Sequence, residues 1–298
     1  MRYYGIMSDG FTYKTEHRLS VFGNRDDMGR RAAETDMAVL RSWVEQGAEP
    51  VVILAAAASQ KERAEYLAEL LNKDKAVAGR CVYFHMDENI ERGGGLMKPD
   101  NEDGFGHWLI ENYVRPGGIP RDRLHLIADM PGTTPADAAD GYSALLEKTF
   151  AGEKARVAVL AGIGITGHFA YCDPGTPAAD VLAAKWVDVV ELDQTTRMQE
   201  LTDFPFDDAT GRGFRSIDDV QTHAVTMTMR ALTHGKIGYI SLTVPNSEKA
   251  VALRKFWFGN PGNYMNGSVA SAIKGIAGLR LEVFADDAAA HLIKEAGK

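Results

Sequence analysis

The sequence of 298 residues predicts an α/β fold, with a mostly parallel central sheet flanked by helices on both faces. Two observations carry this reading: short apolar runs recur along the chain, and amphipathic stretches fall between them. The runs are VVILAA (51–56), VYFHM (82–86), LHLI (124–127), VAVLAG (157–162), WVDVVEL (186–192), IGYISLTV (237–244) and LRLEVFA (279–285). Such runs read as strands buried on both faces. Between them, Ala33, Met37, Leu40 and Val44 recur at helical spacing as one apolar stripe. Thr134 and Pro135 offer an N-cap and a first-turn proline to ADAADGYSALLEKTF. Asn246-Ser247 opens EKAVALRKFWFG in the same way, and Gly259 closes it.

Composition narrows the function classes. A hydrophobic fraction of 45% is enough for a large core, and the net charge of −8 argues against a phosphate-tracking nucleic-acid binder. Two cysteines, Cys81 and Cys172, are too few for a disulfide framework. No uninterrupted apolar stretch approaches the roughly 20 residues of a membrane span, and the N-terminal segment lacks the apolar region of a secretory signal. The expectation is a cytoplasmic protein without nucleic-acid or membrane partners. No linker divides the chain, so residues 1–298 read as a single domain, with 1–18 as an N-terminal extension and 89–106 and 203–221 as polar, glycine-rich loops.

Ligands in such sheets bind at the carboxyl ends of the strands. Four stretches fall on that edge: AAAASQKER, HMDEN, GIGITGHFAYCDP and TVPNSEKA. In HMDEN, a partly desolvated Asp87 is a candidate general base, while Asp87 or Glu88 as a helix cap is an equally open reading. His85 reads as a packing or hydrogen-bonding residue. In GIGITGHFAYCDP, Gly162, Gly164 and Gly167 permit close backbone approach, and His168 is followed after five residues by Asp173, which can orient its imidazole. The glycines fit G-x-G-x-x-G, but no long periodic helix follows and the expected acid would fall near Asp188, inside a strand. No dinucleotide or other cofactor is therefore expected. Lys249 lies in the first turn of a helix after a strand, where Ser247 and free amides make an anion site, and Arg197 can grip a phosphate bidentately. The histidines and cysteines show no metal-ligand spacing, so no metal site is expected.

Taken in order, these segments resemble the glucosamine-6-phosphate deaminase/isomerase family, which includes 6-phosphogluconolactonases. YFHMDEN is similar to the family's F-x-M-D-E strand end, GIPRDRLHLI to its I-P segment, and GIGITGHFAYCDP to G-x-G-x-x-G-H-I-A-F-N-E-P. DQTTR resembles its D-T-R, NSEKA its G-x-x-K-A, and VFADDAAA its closing V-x-D-x-x-A. The resemblance runs over most of the chain. It implies a Rossmann-like three-layer sandwich and a sugar phosphate as ligand. It further implies that Asp87 moves a proton between C1 and C2 and that His168, with Asp173, assists ring opening. Arg197 and Lys249 match phosphate-holding positions, and Glu88, Gly164 and Gly167 belong to the same motifs. Three positions depart from the pattern. Thr166 stands where deaminases carry an acid, Asp173 replaces a glutamate, and the glycines of the phosphate loop have become alanines, leaving Ser59 as its hydroxyl.

The leading expectation is an isomerase or deaminase acting on a sugar phosphate, with Asp87, His168, Asp173 and Thr166 as the catalytic group. Ser59, Glu88, Gly164, Gly167, Arg197 and Lys249 are expected to bind substrate. The alternatives are a lactonase-type hydrolase, in which His168 activates water, and a sugar-phosphate-binding protein without turnover. A homo-oligomer is compatible with each of these.

Overall fold

The computed structural model describes residues 2–5, 16–209, 211 and 213–296. Residues 6–15 of the 1–18 segment, and Thr210 and Arg212 within 203–221, lie outside the described residues.

β1 (Arg2–Gly5) pairs antiparallel with β2 (Glu16–Phe22). α1 (Arg25–Glu45) begins where the Asn24 side chain accepts from the Asp27 amide, an N-cap that satisfies a donor no helical carbonyl can reach. β3 (Glu49–Leu54), α2 (Lys61–Lys73), α3 (Lys75–Arg80) and β4 (Val82–His85) follow, then the three-residue β5 (Asp87–Asn89). Beyond the 89–104 segment come α4 (Phe105–Leu109), α5 (Arg115–Gly117) and the edge strand β6 (Leu124–His125). α6 (Pro135–Phe150) starts with the expected capping box: Thr134 accepts from the Asp137 amide and Asp137 accepts from the Thr134 amide. β7 (Ala155–Ala161), β8 (Val187–Glu191), α7 (Gln194–Asp203), β9 (His223–Met227) and α8 (Met229–Leu232) lead to β10 (Ile237–Val244). α9 (Ala250–Phe258), β11 (Arg280–Asp286) and α10 (His291–Ala296) complete the order.

The central sheet runs β1-β2-β11-β10-β7-β3-β4-β6, and every neighbouring pair except β1-β2 is parallel. Alternation along β3 shows why both faces are covered. Val51 and Ile53 enter one core with α6 and α9, while Val52 and Leu54 enter another with α1, α2 and α3. The α/β expectation therefore holds. Among the described residues, no helix is long and apolar enough to cross a membrane.

Two local expectations change. The 186–192 run reads as another strand of the main sheet, but β8 instead joins β9 and β5 in a separate antiparallel sheet. The Asn246 side chain does not cap the helix that follows. Asn246 takes a positive φ of 72° and its side-chain amide donates to Glu248, and one 3-10 turn (Ser247–Lys249) precedes α9. Gly259 closes α9 at an extended φ of −68°, with no left-handed cap. Its glycine identity is needed because a Cβ there would stand 2.5 Å from the Lys255 carbonyl.

Candidate active site

The carboxyl ends of β3, β4 and β7 open onto one cavity, and α7 and the 3-10 turn before α9 close it. Asp87, His168, Gly164, Ser59 and Lys249 all line it, as do Thr196, Gln199, Glu200 and Asp203.

His168 sits just beyond β7 with 7% of its surface exposed. Its Nδ1 lies 3.1 Å from Asp173 Oδ1, 2.8 Å from Thr166 Oγ1 and 3.2 Å from Thr196 Oγ1. Both hydroxyls also donate to Asp173 Oδ1, at 3.0 Å from Thr166 and 2.9 Å from Thr196. With those hydrogens committed to the carboxylate, Nδ1 carries the imidazole proton and Nε2 is left with its lone pair. Burial pushes the Asp173 carboxyl up, but the hydrogen bonds and attraction from the His168 ring, with the bonds from Thr196 and Thr166, outweigh it and hold the group below its usual range. Thr166 thus completes the hydrogen bonding of a single carboxylate in place of supplying a second one.

The glycines set the ring's position. A Cβ on Gly164 would fall 1.8 Å from His168 Nε2, so only glycine leaves room for that edge of the imidazole. Gly167 takes a φ of 85° and packs against Ser268, where a Cβ would come within 2.9 Å of Oγ. Ala170, in the same turn, holds a φ of 53°, strain of about 1–3 kcal/mol that the surrounding contacts must outweigh.

Asp87 and Lys249 contrast with this closed group. Asp87 is 6% exposed, and among the described residues its carboxylate has no hydrogen-bond or ion-pair partner. Burial alone drives it up to about 7. The missed strand β9 anchors it: Thr226 pairs with Asp87 in register, and the Thr226 hydroxyl accepts from the Tyr171 amide. Lys249 is 4% exposed and makes no side-chain hydrogen bond or ion pair among the described residues, and burial lowers its pKa against the attraction of Asp203 and Glu248. Ser59 presents its hydroxyl to the same cavity.

Three expected binding residues do not line the cavity: Gly167, which packs against Ser268, and Glu88 and Arg197. Glu88 is not among the cavity's lining residues. Its carboxylate accepts from the amides of Asn89, Phe105 and Gly106, so it fastens the start of α4, the capping alternative read from the sequence. Burial nevertheless raises it to about 8, against those three donors. Arg197 also stands apart. Its Nε and Nη2 donate to the carbonyls of Gln221, Ile217 and Val220, so it staples the 217–221 segment and does not reach the cavity.

The reason lies in helical phase. Thr196, Gln199, Glu200 and Asp203 follow the i, i+3, i+4, i+7 pattern and share one face of α7, while Arg197 is turned about 100° away. That polar stripe was readable in TTRMQELTD. Through it, Gln199 accepts from the Ile165 amide at 2.9 Å and fixes the glycine loop. Glu200, which sequence reasoning missed, accepts from the Tyr171 hydroxyl. Its Oε2 is buried without a partner, and burial, with Asp87 and Asp203 nearby, raises it to about 8. His85 lies fully buried with both nitrogens unpartnered and is lowered by burial to about 3, as a packing residue would be. Among the described residues, no group of three or more histidine, cysteine or carboxylate side chains is placed to hold a metal ion.

No family model matches the chain. Curated relatives do. It is 27% identical to the glucosamine-6-phosphate deaminase of Oceanobacillus iheyensis over 73% of this chain and 76% of that one. It is 24% identical to the enzyme of the same name from Shouchella clausii, over 78% and 81%. Among solved structures, a monomeric glucosamine-6-phosphate deaminase superposes with a TM-score of 0.72 at 19% identity, covering 92% of this chain and 99% of that one. The 6-phosphogluconolactonase of Trypanosoma brucei does so with a TM-score of 0.66 at 17% identity, covering 95% and 100%. The chain is similar in sequence to glucosamine-6-phosphate deaminases and has the fold shared by those enzymes and 6-phosphogluconolactonases.

Proposed function

We propose that the chain is a glucosamine-6-phosphate deaminase-like aldose–ketose isomerase acting on a hexosamine 6-phosphate. One observation carries this reading. A buried, unpartnered carboxylate raised to about 7 shares a cavity with a histidine whose Nδ1 is tied to a carboxylate and with an unpaired buried ammonium. Lys249 and Ser59 hold the phosphate. His168 Nε2 takes the anomeric hydroxyl proton and returns it to the ring oxygen, which opens the ring. Asp173 steadies the imidazolium formed between those steps. Asp87 then removes the C2 proton as O1 takes one from solvent, giving an enolamine, and delivers it to C1 as the nitrogen gives a proton up to solvent. This leaves an imine at C2, which water hydrolyses to a ketone and ammonia.

A pKa near neutrality suits Asp87 to both halves of that transfer, since it must accept and release a proton at similar cost. Glucosamine, galactosamine and mannosamine 6-phosphates, followed for ammonia and for ketose 6-phosphate, test the proposal. Stoichiometric release of both products is expected from at least one of them. A folded protein that turns over none sinks it.

Thr166 favours one second reading. Without another acid beside His168, the His168–Asp173 pair still suffices to activate water against a sugar lactone. Lactone hydrolysis that survives Asp87→Asn would establish that alternative.

A further inference from the structure

The loop between β3 and α2 has lost the glycines that let backbone amides surround a phosphate, yet it is tightly held. Arg25 Nη2 donates to the Ala58 carbonyl at 2.8 Å, Thr243 Oγ1 to the Ser59 carbonyl at 2.9 Å, and the Gln60 amide to the Ala57 carbonyl at 2.8 Å. A Cβ on Gly162 would come within 2.7 Å of Ser59 Oγ, so β7 leaves this loop no slack.

Beneath it runs a chain of side-chain hydrogen bonds. Arg63 is fully buried. Its Nη1 donates to Gln60 Oε1 at 3.0 Å and its Nη2 to the Ser241 carbonyl at 3.1 Å. Arg63 Nε lies 3.5 Å from Asp36 Oδ2, and Asp36 is itself fixed by the Tyr239 hydroxyl at 2.7 Å. A guanidinium has donors and no acceptor, so it decides which end of the Gln60 amide faces it. The other end, Nε2, is thereby turned to Ser59 Oγ at 2.9 Å. Ser59 Oγ accepts that hydrogen, and its own has no acceptor among the described residues.

We propose that Arg63 and Gln60 are positioning residues that make Ser59 an obligate hydrogen-bond donor to a phosphate or phosphate ester in the cavity. A relay of side-chain polarity thus replaces the backbone cradle. The inference rests on the phosphorylated-substrate reading above. Unlike simple packing, the relay has a direction, and reversing that direction reverses the effect. In Gln60→Glu the carboxylate keeps Arg63 paired but accepts the Ser59 hydrogen, withdrawing the donor from the ligand.

The test is a double-mutant cycle of Ser59→Ala and Gln60→Glu in the full chain. It is read as the Kd for inorganic phosphate and as KM and kcat for glucosamine 6-phosphate. Ser59→Ala weakens phosphate by roughly ten-fold or more, the scale of a hydrogen bond to a charged group. Gln60→Glu weakens it similarly, raising KM with little change in kcat, and adding Ser59→Ala to it costs nothing further. Gln60→Met removes the donor without adding charge and weakens binding in the same direction.

The relay is overturned if Ser59→Ala costs the same in the Gln60→Glu background as in the wild type, because Gln60→Glu then acts through its charge alone. It is overturned equally if wild type and Ser59→Ala bind phosphate alike. A non-additive phosphate cycle in a protein that turns over no sugar phosphate upholds the relay and removes the isomerase reading. Turnover with an additive cycle does the reverse.

Discussion

His168 and the pair Asp87 and Lys249 line the same cavity and are almost equally buried, yet they differ in how their atoms are engaged. Around His168 a carboxylate and two hydroxyls converge on one ring nitrogen. Asp87 and Lys249 touch no polar partner among the described residues. Leaving a buried carboxylate and a buried ammonium unpaired costs stability that folding alone gives no reason to forgo. The difference separates groups that must be aimed from groups that must stay reactive. An imidazole needs a fixed tautomer, so its Nδ1 side is closed. A base and an anion-binding cation need an open coordination site, so their partners are left for the substrate to provide.

The largest way to break this contrast is at Asp87. Asp87→Asn lowers kcat for ketose formation by roughly 10²- to 10⁴-fold while Kd for inorganic phosphate holds. In the unmutated protein, kcat/KM rises with pH through about 7, because the base must be ionised to act. A pH profile of the wild type beside the variant checks both.

Gly164→Ala attacks the aimed group instead. The new methyl must displace the His168 ring, and a misplacement of about 1 Å costs roughly 10²-fold in kcat. Steady-state kinetics alongside near-ultraviolet dichroism separate that shift from unfolding.

Glu200 carries the same logic into stability. Its carboxyl holds a proton to about pH 8 in the folded chain but releases it near 4.5 when unfolded, so its contribution falls as pH rises between those values. Glu200→Gln removes that decline and adds on the order of 5 kcal/mol above pH 8. Urea titrations at pH 5 and 8.5 show a gain only at the higher pH.

Lys249→Met exchanges an unpaired buried cation for an apolar chain. KM for a sugar phosphate rises roughly ten-fold while the melting temperature rises as well, a pairing that calorimetry and kinetics read together. The smallest effect falls on Arg197. Because it serves the 217–221 carbonyls, Arg197→Gln lowers stability by roughly 1–2 kcal/mol and leaves the phosphate Kd unchanged. A weakened Kd would return it to the site.

The legible parts were those that repeat. Apolar runs located the strands of the main sheet, because a strand covered on both faces has little choice but Val, Ile, Leu and Ala. The Thr134 capping box could be read for a similar reason, since its chemistry is local. The antiparallel sheet could not be foreseen. WVDVVEL reads alike in either sheet, and β9 is five residues long. The site residues on α7 escaped because hydrophobic periodicity does not register a polar stripe. Arg197 stands out in the sequence for its charge, whereas its neighbour Thr196 has the phase to face the cavity. A fully buried Arg63 is still harder to anticipate, arginine being a residue that ordinarily stays wet.

The strand order has a consequence for the protein while it is being made. β11 lies between β2 and β10, elements separated from one another by more than half the sequence. On a ribosome, β10 emerges before the strand that will cover its flank, and β2 has waited since the start with the same side open. Two hydrogen-bonding edges are thus exposed together until β11 arrives to join them. For that interval the nascent chain is a natural client for a chaperone that shields strand edges, and a stall just before residue 280 would be a point of aggregation.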